Sequence, residues 1–241
     1  MLALVFFLVA VLFAAVGQAG ATGYLAALGW AGYGPDCIRP VALSLNIIVA
    51  AVGTFQFARA KKLSLRTFYP FGVLGFPFSI AGGLLTLPHA IYFPIVGGLL
   101  LLAAVQLARL AIQGHQTLDQ ELPPPFLWAL LTGAGVGFVS GLTGTGGGIF
   151  LAPILYLTGW VGSSRASGVT AAYNLLNSAA ALAAVLATAP GFPTAMPIWL
   201  LAVAAGGGIG STLGARFLPE RALRALLAVV LLVSAVRFLL G

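Results

Sequence analysis

The chain has 241 residues, of which 61% are hydrophobic and only 6% charged, with a formal net charge of +7. Soluble domains of this size do not carry so little charge, so the composition indicates an all-α polytopic membrane protein. The positive balance does not indicate nucleic acid, because the cations stand one to four at a time between apolar stretches, as topology-setting residues do.

The first apolar segment, 2–31, begins "MLALVFFLVAVLFAA" without the basic leader of a cleaved signal peptide, and is expected to belong to the mature chain. Residues 2–16 make a helix of only about 22 Å, short of a hydrocarbon core of about 30 Å. The break "GQAGATG" and a second short apolar piece, 23–31, follow. One straight helix over 2–31 would measure about 45 Å, so a helix, a break and a returning helix is the more economical reading. Gln18, Gly20 and Thr22 lie in this break.

Segments 37–58, 68–86 and 90–110 are expected to cross the membrane. Asn46 interrupts the first of them. Cys37 is the single cysteine, so no intrachain disulfide is available and no metal or other cofactor is indicated. Gly75, Ser79 and Gly83 recur at four-residue spacing, as do Gly206, Gly210 and Gly214. These are read as close packing of the third helices near a pseudo-two-fold axis. The polar stretch "QGHQTLDQELPPP" then separates a first unit, 1–110, from a second, 126–241, with 111–125 as linker.

The second unit repeats the first. Segment 126–161 contains "GLTGTGGGIFLAP", which puts five glycines and a proline, poor helix formers, inside an apolar stretch where a membrane helix should be strongest. A helix restarting near Gly148, capped by Thr145 or a glycine, would tolerate Pro153 in its early turns. Its first N–H groups and positive dipole end would face the midplane, where lipid cannot satisfy them and an anion can. Segment 166–188 then carries Thr170, Asn174, Asn177 and Ser178 on one helical face. Neutral amides and hydroxyls can hold a dehydrated anion without a permanent buried charge. Glycines and asparagines also serve helix packing. The repetition of Asn46 and Asn174 beside repeated breaks favours binding for those two, while Asn177 and Ser178 weigh evenly between both roles. Segments 196–215 and 222–240 complete the unit.

An offset of 131 lays 77–110 on 208–241 without a gap, matching Gly83 to Gly214 and Leu87-Pro88 to Leu218-Pro219. Offsets of 128 and 127 match Asn46 to Asn174, and Gly17 and Gly20 to Gly144 and Gly147. If the first segment of each unit returns to its own side, three crossings follow and the two repeats are inverted. Nine of the eleven basic residues then lie inside, and only Arg39 and Arg237 lie outside. A crossing first segment would leave six against five, so the positive-inside rule favours inversion, with both termini outside and 111–125 inside. Arg39 and Arg165, which precede the second helices, are read as interfacial anchors rather than anion attractors. No carboxylate or histidine falls within an expected span, which leaves passive transport, or coupling through the substrate's own protonation or backbone carbonyls.

The motif "GFVSGLTGTGGGIFLAPIL", the following "GVTAAYNLL", a weaker copy of both near the start, and "GSTLGARF" resemble the TauE/SafE sulfite exporter family, also called the toluene sulfonate uptake permease family. The resemblance covers essentially the whole chain. It implies a multi-pass carrier of the cytoplasmic (inner) membrane for sulfite, sulfoacetate, aromatic sulfonates or related small anions. The first break departs from the motif, since "GQAGATGYLAAL" lacks the triple glycine and the later proline. Gly144, Thr145, Gly146, Gly147, Gly148, Thr170, Asn174 and Asn177, with Gln18, Gly20, Thr22 and Asn46, are the expected substrate contacts. An anion channel could use the same helix ends. An intramembrane serine hydrolase, suggested faintly by "GFVSG" at 137–141, would need an embedded histidine partner that the chain lacks.

Overall fold

The computed structural model describes residues 1–15, 18–113, 124–161, 163–187, 191–214 and 220–240, and every regular element among them is helical. Ten helices follow in order among the described residues: α1 (Leu2–Ala15), α2 (Ala21–Trp30), α3 (Pro35–Arg59), α4 (Leu65–Leu84) and α5 (His89–Gln113). Then come α6 (Phe126–Thr143), α7 (Gly148–Thr158), α8 (Ser163–Val185), α9 (Met196–Gly214) and α10 (Glu220–Leu240). Gly17, most of the linker with His115, Asp119 and Glu121, Arg216 and the Leu218-Pro219 corner lie outside the described residues.

Local chemistry sets the helix ends. Pro35 opens α3, where its missing N–H is no loss, behind the extended Gly34. Lys61 takes a positive φ of 56° to end it, and the Ser64 hydroxyl caps α4 by accepting from Thr67 N at 3.3 Å. Both short pairs break at left-handed glycines, Gly20 in the first and Gly144, Gly146 and Gly147 in the second.

Each short pair doubles back. Trp199 of α9 stacks edge-on against Phe6 near the start of α1 at 5.2 Å and against Tyr33, just past α2, at 6.3 Å. Phe71 of α4 does the same for the other pair: its carbonyl lies against Gly133 of α6, and its ring is 6.3 Å from Trp160, just past α7. At 18 residues α6 is itself long enough to cross a membrane, so the return of α7, not shortness of the first piece, brings this segment back.

Glycines set the helix contacts. Gly133, Gly137 and Gly141 of α6 lie on the backbone of Phe71, Gly75 and Ser79 of α4, so the two helices run parallel and a Cβ at any of the three would enter the partner backbone. Gly206 and Gly210 of α9 lie in the same way on Phe7 and Val11 of α1. Close packing at Gly75, Ser79, Gly206 and Gly210 is therefore present, but the partners are the first helices of the opposite halves, not one third helix against the other. Gly83 instead meets α8, at Ala181 and Ala184.

At the centre α3 and α8 cross antiparallel. Leu43 clusters with Ala181 and Val185, Asn46 meets Asn174 and Ser178, and the Lys62 carbonyl lies against Gly168. The largest apolar core joins α1, α2, α3, α5, α9 and α10 around Phe6, Tyr24, Tyr92 and Trp199. Many large apolar side chains, among them Phe76, Leu102, Leu131, Leu201 and Val229, remain exposed, while Asn46, Asn174, Asn177 and Ser178 are buried. An apolar exterior around a polar interior suits a lipid surround. By length and composition, α3, α4, α5, α6 and α8 all contain a stretch able to cross a membrane.

Candidate functional site

The second break is shaped by three positive-φ glycines that each meet a different neighbour. Gly144 (φ 82°) caps α6 and lies over the Arg39 backbone; Gly146 (φ 76°) sits where a Cβ would collide with Asn46, Asn174 and Ser178. Gly147 (φ 81°) is the N-cap of α7 and packs against Tyr173, Ser140 and Val136, with no side-chain cap. The first intrahelical donors of α7 are Phe150 N and Leu151 N, both 3.1 Å from Gly147 O. The N–H groups of Gly148 and Ile149 precede them and have no place in the helix's own ladder.

The first break is a looser version. Gln18 N bonds back to Phe13 O at 2.8 Å, Gly20 caps α2, and Tyr24 N reaches Gly20 O at 3.1 Å. Ahead of that bond, Ala21 N donates to Asn46 Oδ1 at 3.0 Å. Asn46 thus serves the first break from α3. Its Nδ2 donates to Asn174 Oδ1 at 2.9 Å and to Ser178 Oγ at 2.8 Å. Two residues 128 apart in the chain meet at the crossing of α3 and α8, and every hydrogen-bonding atom of Asn46 is engaged except the second lone pair of its oxygen.

A cavity of about 360 Å³ opens between the two breaks. Gly20, Ala21 and Thr22 at the start of α2 and Thr145, Gly148 and Ile149 beside the start of α7 form its floor. Thr170 and Asn174 enter from α8; Phe13, Val49, Ala50 and Phe57 supply apolar wall. Lys62 lies at the rim and is the only charged residue lining the cavity among the described residues. Thr170 is 3% exposed and its hydroxyl bonds no group of the protein.

Seven of the expected contacts therefore line one space: Gln18, Gly20, Thr22, Thr145, Gly148, Thr170 and Asn174. Asn46 stands behind the wall, fully buried, and Gly144, Gly146 and Gly147 shape the break without lining the cavity. Asn177 is turned away from it. The Asn177 Nδ2 donates to Tyr173 O at 2.9 Å, and the Asn177 backbone carbonyl accepts from Ser79 Oγ of α4 at 2.9 Å. Gln56, Lys62, Ser167 and Ser211 also line the cavity and are not among the expected contacts. Gln56 Nε2 donates to Ser211 Oγ at 2.7 Å, joining α3 to α9 at the cavity wall. A lone glutamine inside "AVGTFQFARA" was the available signal.

Arg39 differs from the interfacial anchor expected of it. It is 4% exposed, and its guanidinium donates to Leu85 O at 2.9 Å, Gly83 O at 2.9 Å, Gly82 O at 3.5 Å and Gly141 O at 3.0 Å. The side chain ties the last carbonyls of α4 to the end of α6, where the helix dipoles are negative. Tyr92 adds a bond from its hydroxyl to Thr143 O at 2.9 Å. This end of the molecule, opposite Lys62 along α3, is closed.

A family model described as Sulfite exporter TauE/SafE matches residues 2–238. The chain is also similar to a "Probable membrane transporter protein y4hK" of Sinorhizobium fredii (strain NBRC 101917 / NGR234), 47% identical over 99% of this chain and 97% of the relative. No solved structure matches it significantly. With two helix starts, neutral donors and a cavity inside an apolar bundle, and with the family match spanning nearly every residue, the chain belongs to the TauE/SafE sulfite exporter family of membrane transporters.

Proposed function

We propose that the chain carries a small organic anion, an organosulfonate in preference to sulfite, through the cavity between the two breaks. The observation that carries this reading is the lining: two helix starts, the Thr170 hydroxyl and the Asn174 amide face one space that no carboxylate lines among the described residues. Asn174 Oδ1 is taken by Asn46, which leaves its Nδ2 to donate. Backbone amides at helix starts favour an anion, and the surrounding low dielectric strengthens each bond. Sulfite would leave most of about 360 Å³ to water, whereas the Phe13, Val49, Ala50 and Phe57 wall fits the apolar body of a sulfonate.

The helix pairings support a two-fold repeat, and the antiparallel crossing of the self-paired α3 and α8 supports its inversion. Exchanging the first five helices for the last five turns α4 on α6 into α9 on α1, α4 on α8 into α9 on α3, and α2 on α3 into α7 on α8. The α3–α8 and α5–α10 pairs map onto themselves. Phe71 and Trp199, 128 apart, receive the two returning pairs alike. Such a chain has two equivalent states open to opposite sides. With Lys62 at the open rim, the positive-inside rule makes this the state open to the cytoplasm, in the inner membrane.

Purified protein in proteoliposomes, offered sulfite, sulfoacetate, toluene sulfonate and acetate, tests the reading. Saturable flux of the sulfonates with counter-transport is expected. Ohmic current would make the protein a channel, and no flux of any of the four would overturn the proposal.

A further inference from the structure

A second, smaller cavity of about 30 Å³ adjoins the first. The two share Gln18, Ile149, Ser167 and Thr170 in their linings, so these residues form a doorway between them. Beyond the doorway lie Gln106 of α5 and Arg224 of α10. Arg224 is 5% exposed, and the unbonded Thr170 hydroxyl borders both spaces. A space of this size exceeds the ~10–15 Å³ that a single water requires, but it cannot hold a whole organic anion.

Charge distribution distinguishes this chamber from the first. The central cavity offers neutral donors along its floor and one lysine at its rim. The small chamber adds the buried Arg224 to a lining that it shares with the central cavity at Thr170. Arg39, also buried, is absent from both linings. A carrier must also release what it binds. Two neighbouring stations of moderate strength permit transfer more readily than one strong station.

We propose that the Arg224 chamber is a second anion station, which takes the negatively charged headgroup of the transported anion from the central cavity through the Thr170 doorway. The Arg224 guanidinium supplies a charge-assisted bond, Gln106 an amide donor, and the Thr170 hydroxyl turns between the two stations. The proposal rests on the anion-transport reading above and adds to it a charged residue outside the two breaks.

Toluene sulfonate uptake into proteoliposomes tests it, with wild type, Arg224→Gln, Arg224→Lys, Gln106→Leu and Asn174→Ala compared. Arg224→Gln is expected to raise KM about ten-fold, the loss of one charge-assisted bond. Arg224→Lys should recover part of that loss, and Gln106→Leu should raise KM several-fold at an unchanged melting temperature. If Arg224→Gln purifies folded with KM within about two-fold of wild type while Asn174→Ala still raises it, the second station is overturned and the central site stands. If Arg224→Gln does not fold, an unchanged KM in Gln106→Leu overturns it equally. If wild type moves no toluene sulfonate, sulfoacetate or sulfite, the transport reading fails and this inference with it.

Discussion

Asn46 and Asn174 are the same residue type at matched positions, yet their surroundings give them different work. The amide of Asn46 is engaged by Ala21 N, Asn174 Oδ1 and Ser178 Oγ, so it joins the first break to α8. Asn174 accepts from Asn46 and keeps its own Nδ2 for the cavity. Asn174→Ala should therefore weaken anion binding by roughly 1–3 kcal/mol with modest effect on folding. Asn174→Asp should be worse, since it preserves the acceptor for Asn46 but places a negative charge against the anion. Asn46→Ala should act mainly on stability, because it leaves Ala21 N and Ser178 Oγ short of a partner. Binding isotherms and melting curves on the three purified variants separate these outcomes. Equal anion affinity in wild type and all three would reduce the asparagines to helix joints. Gly148 gives a second test at this scale. Unlike its two neighbours Gly146 and Gly147 it has ordinary helical φ, and a Cβ there would press on the Asn174 side chain at 3.0 Å. Gly148→Ala should displace the Asn174 amide and lower affinity while the helix remains intact. Gly147→Leu is a poorer probe, since at φ 81° against the Tyr173 ring it disturbs packing before it blocks a ligand.

At the scale of elements, the breaks were the most legible part of the sequence, because glycine is rarely concentrated in a membrane helix without a local reason. The restart at Gly148 and the boundaries of the long spans follow from glycine, proline and hydropathy alone. The partners of those helices do not. The face of α6 with Gly133, Gly137 and Gly141 shows only that some backbone comes close, and α4 is identified by contacts between residues some sixty positions apart in the chain. Arg39 was misread for the same reason: its carbonyl partners lie 43 to 102 residues away, so its burial left no local trace. Those bonds carry a prediction. Arg39→Ala removes the donors for four carbonyls at the ends of α4 and α6, and should cost roughly 2–4 kcal/mol of stability. Arg39→Lys should recover only part, since a single ammonium cannot reproduce the planar fork. Thermal unfolding in detergent measures both, and a melting temperature unchanged in Arg39→Ala would show that the tie contributes nothing.

For the whole molecule, the cavity reaches one end and stops short of the other. Lys62 and Ala60 border it where α3 gives way to α4, while Arg39 and Tyr92 hold the opposite end shut through the carbonyls of Gly83, Leu85, Gly141 and Thr143. If the two halves exchange roles, the second state would open at the Arg39 end, and the four guanidinium bonds would have to loosen as it does. The orientation of that motion in the membrane is open to direct measurement, because Cys37 is the single cysteine and stands half-buried near the start of α3, at the closed end. A membrane-impermeant maleimide should reach Cys37 from outside intact cells. In a Cys37→Ser background, Lys62→Cys and a cysteine at position 115 should label only after the inner membrane is opened. The expectation follows from the inverted topology, which would put nine of the eleven basic residues inside, as the charge rule that orients membrane helices favours. Labelling of Lys62→Cys in intact cells would invert the topology, and with it the direction in which the observed cavity faces. Labelling of position 115 and Lys62→Cys from opposite sides would give α4 and α5 an odd number of crossings between them, and would remove the inverted repeat altogether.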